Sequence, residues 1–163
     1  MGDETPNLHE GGCTCGEVRY QLTGTPIYVH CCHCTWCQRE SGSAFALNAM
    51  FETTQITVLK GSPEVVDTPT NSGNGQQFHR CPSCRIALWS HYMGATTALA
   101  FIRVGSLDDP VQLPPDIHIF TRSKQPWVKL PEGVHVREAY YDREVLWTDE
   151  QLKRRQDAID SLQ

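Results

Sequence analysis

Residues 31–37 read Cys31-Cys32-His33-Cys34-Thr35-Trp36-Cys37 and place four cysteines and one histidine in a single short stretch. Two cysteine pairs stand on either side of it, Cys13-Thr14-Cys15 and Cys81-Pro82-Ser83-Cys84. Thiols that are separated by one or two residues can converge on a thiophilic ion with tetrahedral coordination. We therefore expect the fold to be organised around metal sites that these cysteines form.

The central stretch supplies three well-spaced thiols, Cys32, Cys34 and Cys37. Three thiolates leave a tetrahedral zinc ion one ligand short, which is typical of catalytic zinc, and a thiol bound in the fourth position would lose its proton near neutral pH. A fourth protein ligand would instead make the site structural, and the candidates are Cys31, His33, His30 and His79. Neighbouring side chains in an extended segment diverge, so the first two candidates are better placed outside the zinc shell.

The two flanking pairs predict a second, complete site. If the segment around Cys13 and Cys15 is extended, both side chains point to the same face, because strand side chains repeat every second residue. Cys81 and Cys84 have the spacing of a zinc knuckle, and Pro82 stiffens the turn between them. Four thiolates close a structural zinc site, so we expect this group to stabilise the fold and to carry no chemistry.

The bulk properties limit the class of protein. Residues 1–6 contain no apolar run, and no stretch is long enough to span a bilayer, so we expect a cytoplasmic protein with neither a secretory signal nor a membrane anchor. A reducing compartment favours metal binding by the eight cysteines, whereas export would favour disulfides. The net charge of −5 and the scattered basic residues predict no nucleic-acid partner.

The pattern of apolar residues predicts a mainly β fold, with antiparallel sheets around two zinc sites and a short C-terminal helix. Short apolar or alternating segments predict strands at residues 18–22, 27–29, 44–51, 56–60, 77–80, 86–89, 99–104 and 116–120. Thr148 and Gln151 form a capping box that starts the helix. We expect a flexible leader over 1–10, a zinc-binding β domain over 11–142 and a helical tail over 143–163 that packs on the same domain. Turn-forming residues predict an exposed loop at 67–77.

The order and separation of the cysteine sets resemble the glutathione-dependent formaldehyde-activating enzyme family, whose superfamily includes centromere protein V. The resemblance extends from Gly11 to about Val136. It rests on residues 11–20, on Cys32–Cys37 followed by 41–45, on Cys81–Cys84, on the turn at 105–110, and on His118-Ile119-Phe120 through Lys124-Gln125-Pro126-Trp127. Two positions depart from the family pattern: Gln38 stands where a basic residue is common, and Arg85 stands where glycine is common.

The resemblance implies a fold with two zinc ions, one structural on the two flanking pairs and one catalytic on Cys32, Cys34 and Cys37. It implies a carbon–sulfur lyase that reversibly condenses glutathione, or another small thiol, with formaldehyde or another small electrophile to give an adduct such as S-hydroxymethylglutathione. A homodimer is a further expectation. The second interpretation is a non-catalytic module that binds zinc, thiols or a protein partner.

Several residues near the cysteine stretch are candidate substrate contacts. Arg39 could pair with a carboxylate of the thiol, and Ser41 could offer its backbone N–H. Phe45 and Trp127, together with Trp36, could wall the pocket, although aromatic residues in small β domains are more often part of the core. The histidine at 118 alternates with two isoleucines, so it could face a cavity as a proton carrier or lie on the solvent side of its strand, and we expect the solvent side.

Overall fold

The structure is a computed structural model that describes residues 7–94 and 96–162. Within these residues the chain forms two β-sheets and three α-helices. The strands are β1 (Leu8–Gly12), β2 (Arg19–Thr23), β3 (Tyr28–Cys32), β4 (Ala46–Glu52), β5 (Ile56–Lys60), β6 (Glu64–Thr68), β7 (Gln76–Arg80), β8 (Ala87–Tyr92), β9 (Leu99–Arg103), β10 (Ile117–Ile119) and β11 (His135–Val136). The helices are α1 (Thr35–Ser41), α2 (Arg143–Leu146) and α3 (Asp149–Asp160). The mainly β prediction is confirmed.

The eight-stranded sheet has the order β11-β10-β3-β4-β9-β8-β7-β6, and the smaller sheet has the order β1-β2-β5. Most neighbours are antiparallel, as predicted, but β10 runs parallel to both β3 and β11. The chain returns to β3 only after 84 residues, since Cys32 ends β3 and Ile117 begins β10. Such a long connection allows the parallel pairing, because parallel neighbours need a crossover rather than a tight turn.

Each face of the large sheet covers a different core. On β4, Ala49 and Phe51 face a core shared with Tyr20 of the small sheet. Met50, between them, faces a second core that contains Ile117. The alternation follows from the two-residue period of a strand and places side chains of β3 on opposite faces in the same way. The cysteine stretch therefore leaves β3 with Cys31 on one face and Cys32 on the other.

A short helix, which the sequence did not predict, follows β3 directly. The sulfur of Cys34 caps the start of α1 by accepting a hydrogen bond from the Cys37 backbone N–H at 3.3 Å. The helix ends at Gly42, which has φ 65° and donates its N–H to the Gln38 carbonyl at 2.9 Å. Glycine adopts this left-handed conformation without steric cost. The helix turns Cys37 back toward Cys32 and Cys34.

The C-terminal helix begins as predicted. Thr148 and Gln151 form a reciprocal capping box at the start of α3. Gln151 also donates to the Ile27 carbonyl at 2.8 Å, and Arg154 forms a bidentate ion pair with Glu52 of β4. These contacts fix the helix against the large sheet.

The predicted leader boundary differs from the structure. Residues 1–6 lie outside the described residues, but residue 10 lies inside β1, which pairs with β2 from Leu8 to Gly12. The expected loop at 67–77 is shorter, because strands β6 and β7 extend to Thr68 and start at Gln76. None of the helices within the described residues is long and apolar enough to cross a membrane.

Candidate metal centres and adjoining cavity

The two flanking cysteine pairs come together as the sequence predicts, although by a different local geometry. Cys13 and Cys15 lie in a turn after β1 rather than in a strand, with the Gly16 N–H bonded to the Cys13 carbonyl at 3.2 Å. Cys81 and Cys84 lie in the turn between β7 and β8. The four sulfurs lie within 4.8 Å of one another. A turn brings the sulfurs of a Cys-x-Cys pair together as effectively as a strand does.

The distances in this four-sulfur group fit zinc. The Cys15 sulfur lies 3.5 Å from that of Cys13 and 3.6 Å from that of Cys81. Sulfurs around a tetrahedral zinc are expected about 3.8 Å apart, given zinc–sulfur bonds of about 2.3 Å. Backbone N–H groups of Ile86 and Cys15 lower the pKa of Cys84 to about 6, which favours the thiolate that a metal requires.

The four-sulfur group joins the two sheets. One of its pairs follows a strand of the small sheet, and the other follows β7 of the large sheet. Other contacts join the small sheet to the segment after β9: the Tyr20 and Ser106 hydroxyls are 2.7 Å apart, and Arg19 forms an ion pair with Asp108. A metal at this place would cross-link segments that are far apart in the sequence, which is the role expected of a structural zinc.

The three-sulfur group is made from one continuous segment. Cys32 ends β3, Cys34 precedes α1 and Cys37 lies in its first turn, and the three sulfurs lie within 4.8 Å of one another. Hydrogen bonds from the thiols of Cys32 and Cys37 lower the pKa of Cys34, so this residue is the first of the three to ionise. Three converging thiols are a donor set that suits zinc.

The proposed fourth ligands of this group are directed elsewhere. Among the described residues, Cys31 and His33 form a separate cluster with His118. His30 faces the same side as Cys32, but its Nε2 lies 2.7 Å from the Tyr141 hydroxyl. His79 stacks on Trp89 with ring centroids 4.8 Å apart. The grouping of candidate ligands therefore leaves the three-sulfur group without a fourth protein donor in the part of the chain that the structure describes.

The three sulfurs line a cavity of about 710 Å³, a size that suits small-molecule ligands. None of the residues of the four-sulfur group lines it. Its walls include aromatic side chains and three arginines, and the turn between β6 and β7 borders it on one side. The residues that the argument below uses are Trp36, Glu40, Tyr92, Arg103, Arg122 and Arg143.

The charge of this cavity is opposite to that of the whole chain. Arg103 donates to Asn48 Oδ1 at 2.8 Å and stacks over the Phe78 ring. Arg122 and Arg143 make no ion pair among the described residues. The acidic residue of the wall, Glu40, is paired with Arg80. The cavity is therefore electropositive and suits an anionic ligand, in a protein whose net charge is −5.

Tyr92 is the last residue of β8 and lies beside the three-sulfur group. Burial, together with the charges of Cys37 and Cys32, raises the pKa of its phenol well above the usual value. The phenol therefore keeps its proton at neutral pH and can donate a hydrogen bond into the cavity, but it cannot act as a base there.

His30 lies at the end of a hydrogen-bonded chain. The Trp147 indole N–H donates to the Tyr141 hydroxyl at 3.0 Å, and this hydroxyl lies 2.7 Å from His30 Nε2. Burial lowers the pKa of His30 to about 4. His30 is therefore neutral and forms a polar but uncharged part of the cavity wall.

The substrate contacts predicted from the sequence lie outside the cavity wall, with one exception. Arg39 and Ser41 are exposed on α1, and the Ser41 hydroxyl donates to the Cys37 carbonyl at 2.8 Å. Phe45 packs edge-on against His33, and Trp127 is 72% exposed. Trp36 does line the cavity. Many of the other wall residues come from the β6–β7 turn, from β8 and β9 and from the chain after β10, and nothing local in the sequence marks them.

Two further positions have clear local roles. Gln38, where the family commonly has a basic residue, donates to the carbonyls of His33 and Ser123 at 2.8 and 2.9 Å. Arg85 pairs with Glu64 on the surface and is not part of the cavity wall. The expectation that His118 faces solvent was wrong: this side chain is 6% exposed, because it packs against Cys31 and stacks on the His33 ring.

Comparisons with known proteins give a match to a family model and matches to solved structures. A family model described as glutathione-dependent formaldehyde-activating enzyme matches residues 8–123. The structure is similar to a crystal structure of a Rhodobacter sphaeroides protein, with 17% sequence identity and a TM-score of 0.47, over 61% of this chain and 87% of that chain. A search of curated proteins found no match.

Proposed function

Because this chain belongs to the glutathione-dependent formaldehyde-activating enzyme family, we propose that it makes and breaks a carbon–sulfur bond between a glutathione-type thiol and a small aldehyde. The observation that carries the proposal is the position of the three-sulfur group on the wall of a large electropositive cavity. The four-sulfur group has one more ligand and lines no part of that cavity. The two groups therefore differ in the way that catalytic and structural zinc sites differ.

The proposed reaction is an addition without a redox step. The thiol sulfur forms a bond to the aldehyde carbon while the carbonyl π bond breaks, and the oxygen takes up a proton in place of the one that the thiol loses. The reverse reaction releases thiol and aldehyde. Zinc bound to Cys32, Cys34 and Cys37 would supply a Lewis acid that lowers the pKa of a thiol at its fourth position.

The cavity arginines would bind the thiol substrate. Glutathione carries two carboxylates and one ammonium group at neutral pH, so its net charge is complementary to that of the cavity. Arg122 and Arg143 have no carboxylate partner among the described residues and can each bind one, with paired N–H donors that match carboxylate geometry. Glu40 is positioned on the wall to attract the ammonium group, although it shares its charge with Arg80.

Tyr92 would assist at the aldehyde oxygen. Negative charge develops on this oxygen as the carbon–sulfur bond forms, and a donor aimed at developing charge stabilises the transition state. The phenol stays protonated and lies close enough to the three sulfurs for their charge to raise its pKa. His30 stays neutral beside it and adds no competing positive charge.

The direct test is exchange spectroscopy by NMR on an equilibrium mixture of glutathione and formaldehyde. Catalytic amounts of the zinc-loaded protein should accelerate the exchange between free thiol and its hydroxymethyl adduct. The matched control is Cys34→Ala, which removes one of the three sulfurs. Equal exchange rates with and without the wild-type protein, over a panel of small thiols and aldehydes, would contradict the proposal. Tight thiol binding in that case would support the non-catalytic module instead.

A further inference from the structure

A third cluster of possible metal ligands lies on the opposite face of β3 from the three-sulfur group. It consists of Cys31, His33 and His118, and one donor atom from each lies within 4.8 Å of the others. His33 is fully buried, and Cys31 and His118 are 1% and 6% exposed. Cys31 and His118 are direct partners in the parallel pairing of β3 with β10, so the backbone fixes their side chains on the same face.

Hydrogen bonds alone cannot pair all three donor atoms of this cluster at the same time. His33 Nε2 lies 2.9 Å from His118 Nδ1 and 3.6 Å from the sulfur of Cys31. One ring nitrogen either donates a single proton or accepts one, so it can serve only one of these two neighbours. A metal ion at the centre would take a lone pair from all three atoms at once.

The distances are close to those of a bound ion. Sulfur and nitrogen ligands of a tetrahedral zinc are expected about 3.6 Å apart and two nitrogen ligands about 3.3 Å apart, from bond lengths of about 2.3 and 2.0–2.1 Å. The sulfur–nitrogen distance of 3.6 Å already matches. The two imidazoles would have to separate by only a few tenths of an ångström from their 2.9 Å distance.

The rings can adopt the tautomers that such binding requires. No described residue forms a hydrogen bond with His33 Nδ1 or His118 Nε2, the nitrogens that point away from the cluster. Both rings can therefore carry their protons there and direct lone pairs inward. The Phe45 ring, whose centroid lies 5.4 Å from that of His33, covers one side of the cluster and helps to exclude water.

We propose that Cys31, His33 and His118 bind a third metal ion, separate from the two zinc ions that the cysteine spacing predicts. One thiolate and two imidazoles suit a thiophilic late transition ion, either Zn²⁺ or Cu⁺. A monovalent ion would form a neutral complex with the thiolate, which favours Cu⁺ at a buried position. The ion would link β10 to β3, the strand that carries Cys32. This structural role does not depend on the proposed catalytic activity.

The test is to locate and count metals in the full-length protein after expression in zinc-supplemented and in copper-supplemented medium. Elemental analysis after gel filtration should give a third metal atom per chain from at least one medium, and the medium identifies the ion. An anomalous map from crystals of the same protein should show a peak between the Cys31 sulfur and the facing nitrogens of the two histidines.

Substitutions in the cluster test whether its residues hold the third metal ion. Cys31→Ser and His118→Gln should each remove one metal atom per chain and leave the others in place. His135→Gln on the adjacent strand β11 is the matched control and should leave the count unchanged. If Cys31→Ser does not fold, His118→Gln and the anomalous map decide. No anomalous peak in the cluster from either medium, or a metal count that neither variant lowers, would overturn the proposal.

Discussion

The four-sulfur and three-sulfur groups are built from the same residue type but from different kinds of chain segment. The first draws its sulfurs from two turns, one in each sheet, that are more than sixty residues apart in the sequence. The second draws all its sulfurs from the junction between β3 and α1 and borders the cavity. A metal that closes a long loop restricts the unfolded chain strongly, whereas one that closes a six-residue segment does so weakly. The contrast supports the proposal that one group maintains the fold and the other carries the chemistry.

The strongest test of this contrast is the removal of a sulfur from the four-sulfur group. Structural zinc is worth about 10 kcal/mol or more to small zinc domains, so Cys84→Ala should lose a large part of the folding free energy. We expect the unfolding midpoint to fall by more than about 15 °C, or the protein to become insoluble. Thermal unfolding followed by circular dichroism measures the shift, and a fall no greater than that of Cys34→Ala would contradict the division of roles.

Removal of a sulfur from the three-sulfur group should have the opposite effect, with a large loss of activity and a small loss of stability. Cys34→Ala should reduce the rate of thiol–aldehyde exchange by about a thousandfold or more, since it removes a ligand from the proposed catalytic ion. The unfolding midpoint should change by only about 5 °C or less, because the segment is short and is also held by β3 and α1. Exchange spectroscopy and thermal unfolding of the same sample give both numbers.

A third change examines the chemistry beside the three sulfurs without touching them. Tyr92→Phe should lower kcat by about a hundredfold with little change in KM, because the phenol is proposed to stabilise only the charge of the transition state. Tyr28→Phe is the matched control, since Tyr28 is buried in the neighbouring core and lines no part of the cavity. Equal effects of the two changes would show that Tyr92 has no special role.

A smaller effect is expected from the cavity arginines. Arg143→Gln should raise KM for glutathione by about tenfold, the loss expected for one carboxylate contact, and should leave the unfolding midpoint nearly unchanged. Arg39→Gln is the matched control, because Arg39 is exposed and does not line the cavity. A larger effect of Arg39→Gln in steady-state kinetics would support the contact that the sequence predicted.

The smallest effect concerns acid sensitivity outside both sulfur groups. His91 is 4% exposed, donates from Nδ1 to the Leu99 carbonyl at 2.9 Å, and has its pKa lowered by burial. The unfolded state, with a pKa near 6.5, therefore binds more protons, and the stability that His91 contributes above that pH is lost as the pH falls below it. His91→Gln should reduce the loss of stability that occurs as the pH falls below about 6.5, as measured by urea unfolding. An unchanged pH profile would show that His91 does not contribute to the acid sensitivity.

The division of the cysteines could be predicted because it depends on local spacing. Eight of the eleven described strands could be predicted because alternation is local as well, but β1, β6 and β11 were not predicted. The helix after Cys34 could not, since a cysteine sulfur is an unusual helix cap and the helix is only seven residues long. The burial of His118 and the cavity position of Tyr92 depend on contacts between distant segments. His118 is buried because β10 pairs with β3. Tyr92 lies in the cavity wall because β8 approaches the cysteine stretch. No short-range pattern records such contacts.

The turn between β6 and β7, residues 69–75, borders the cavity from the outer edge of the large sheet. It is connected only to a hairpin, so its length can change without moving β3 or α1. Insertions there would narrow or widen the entrance while the three sulfurs stay in place. Attempts to change the size of the ligand that this cavity accepts should therefore begin with loop grafts at this hairpin rather than with changes at the three-sulfur group.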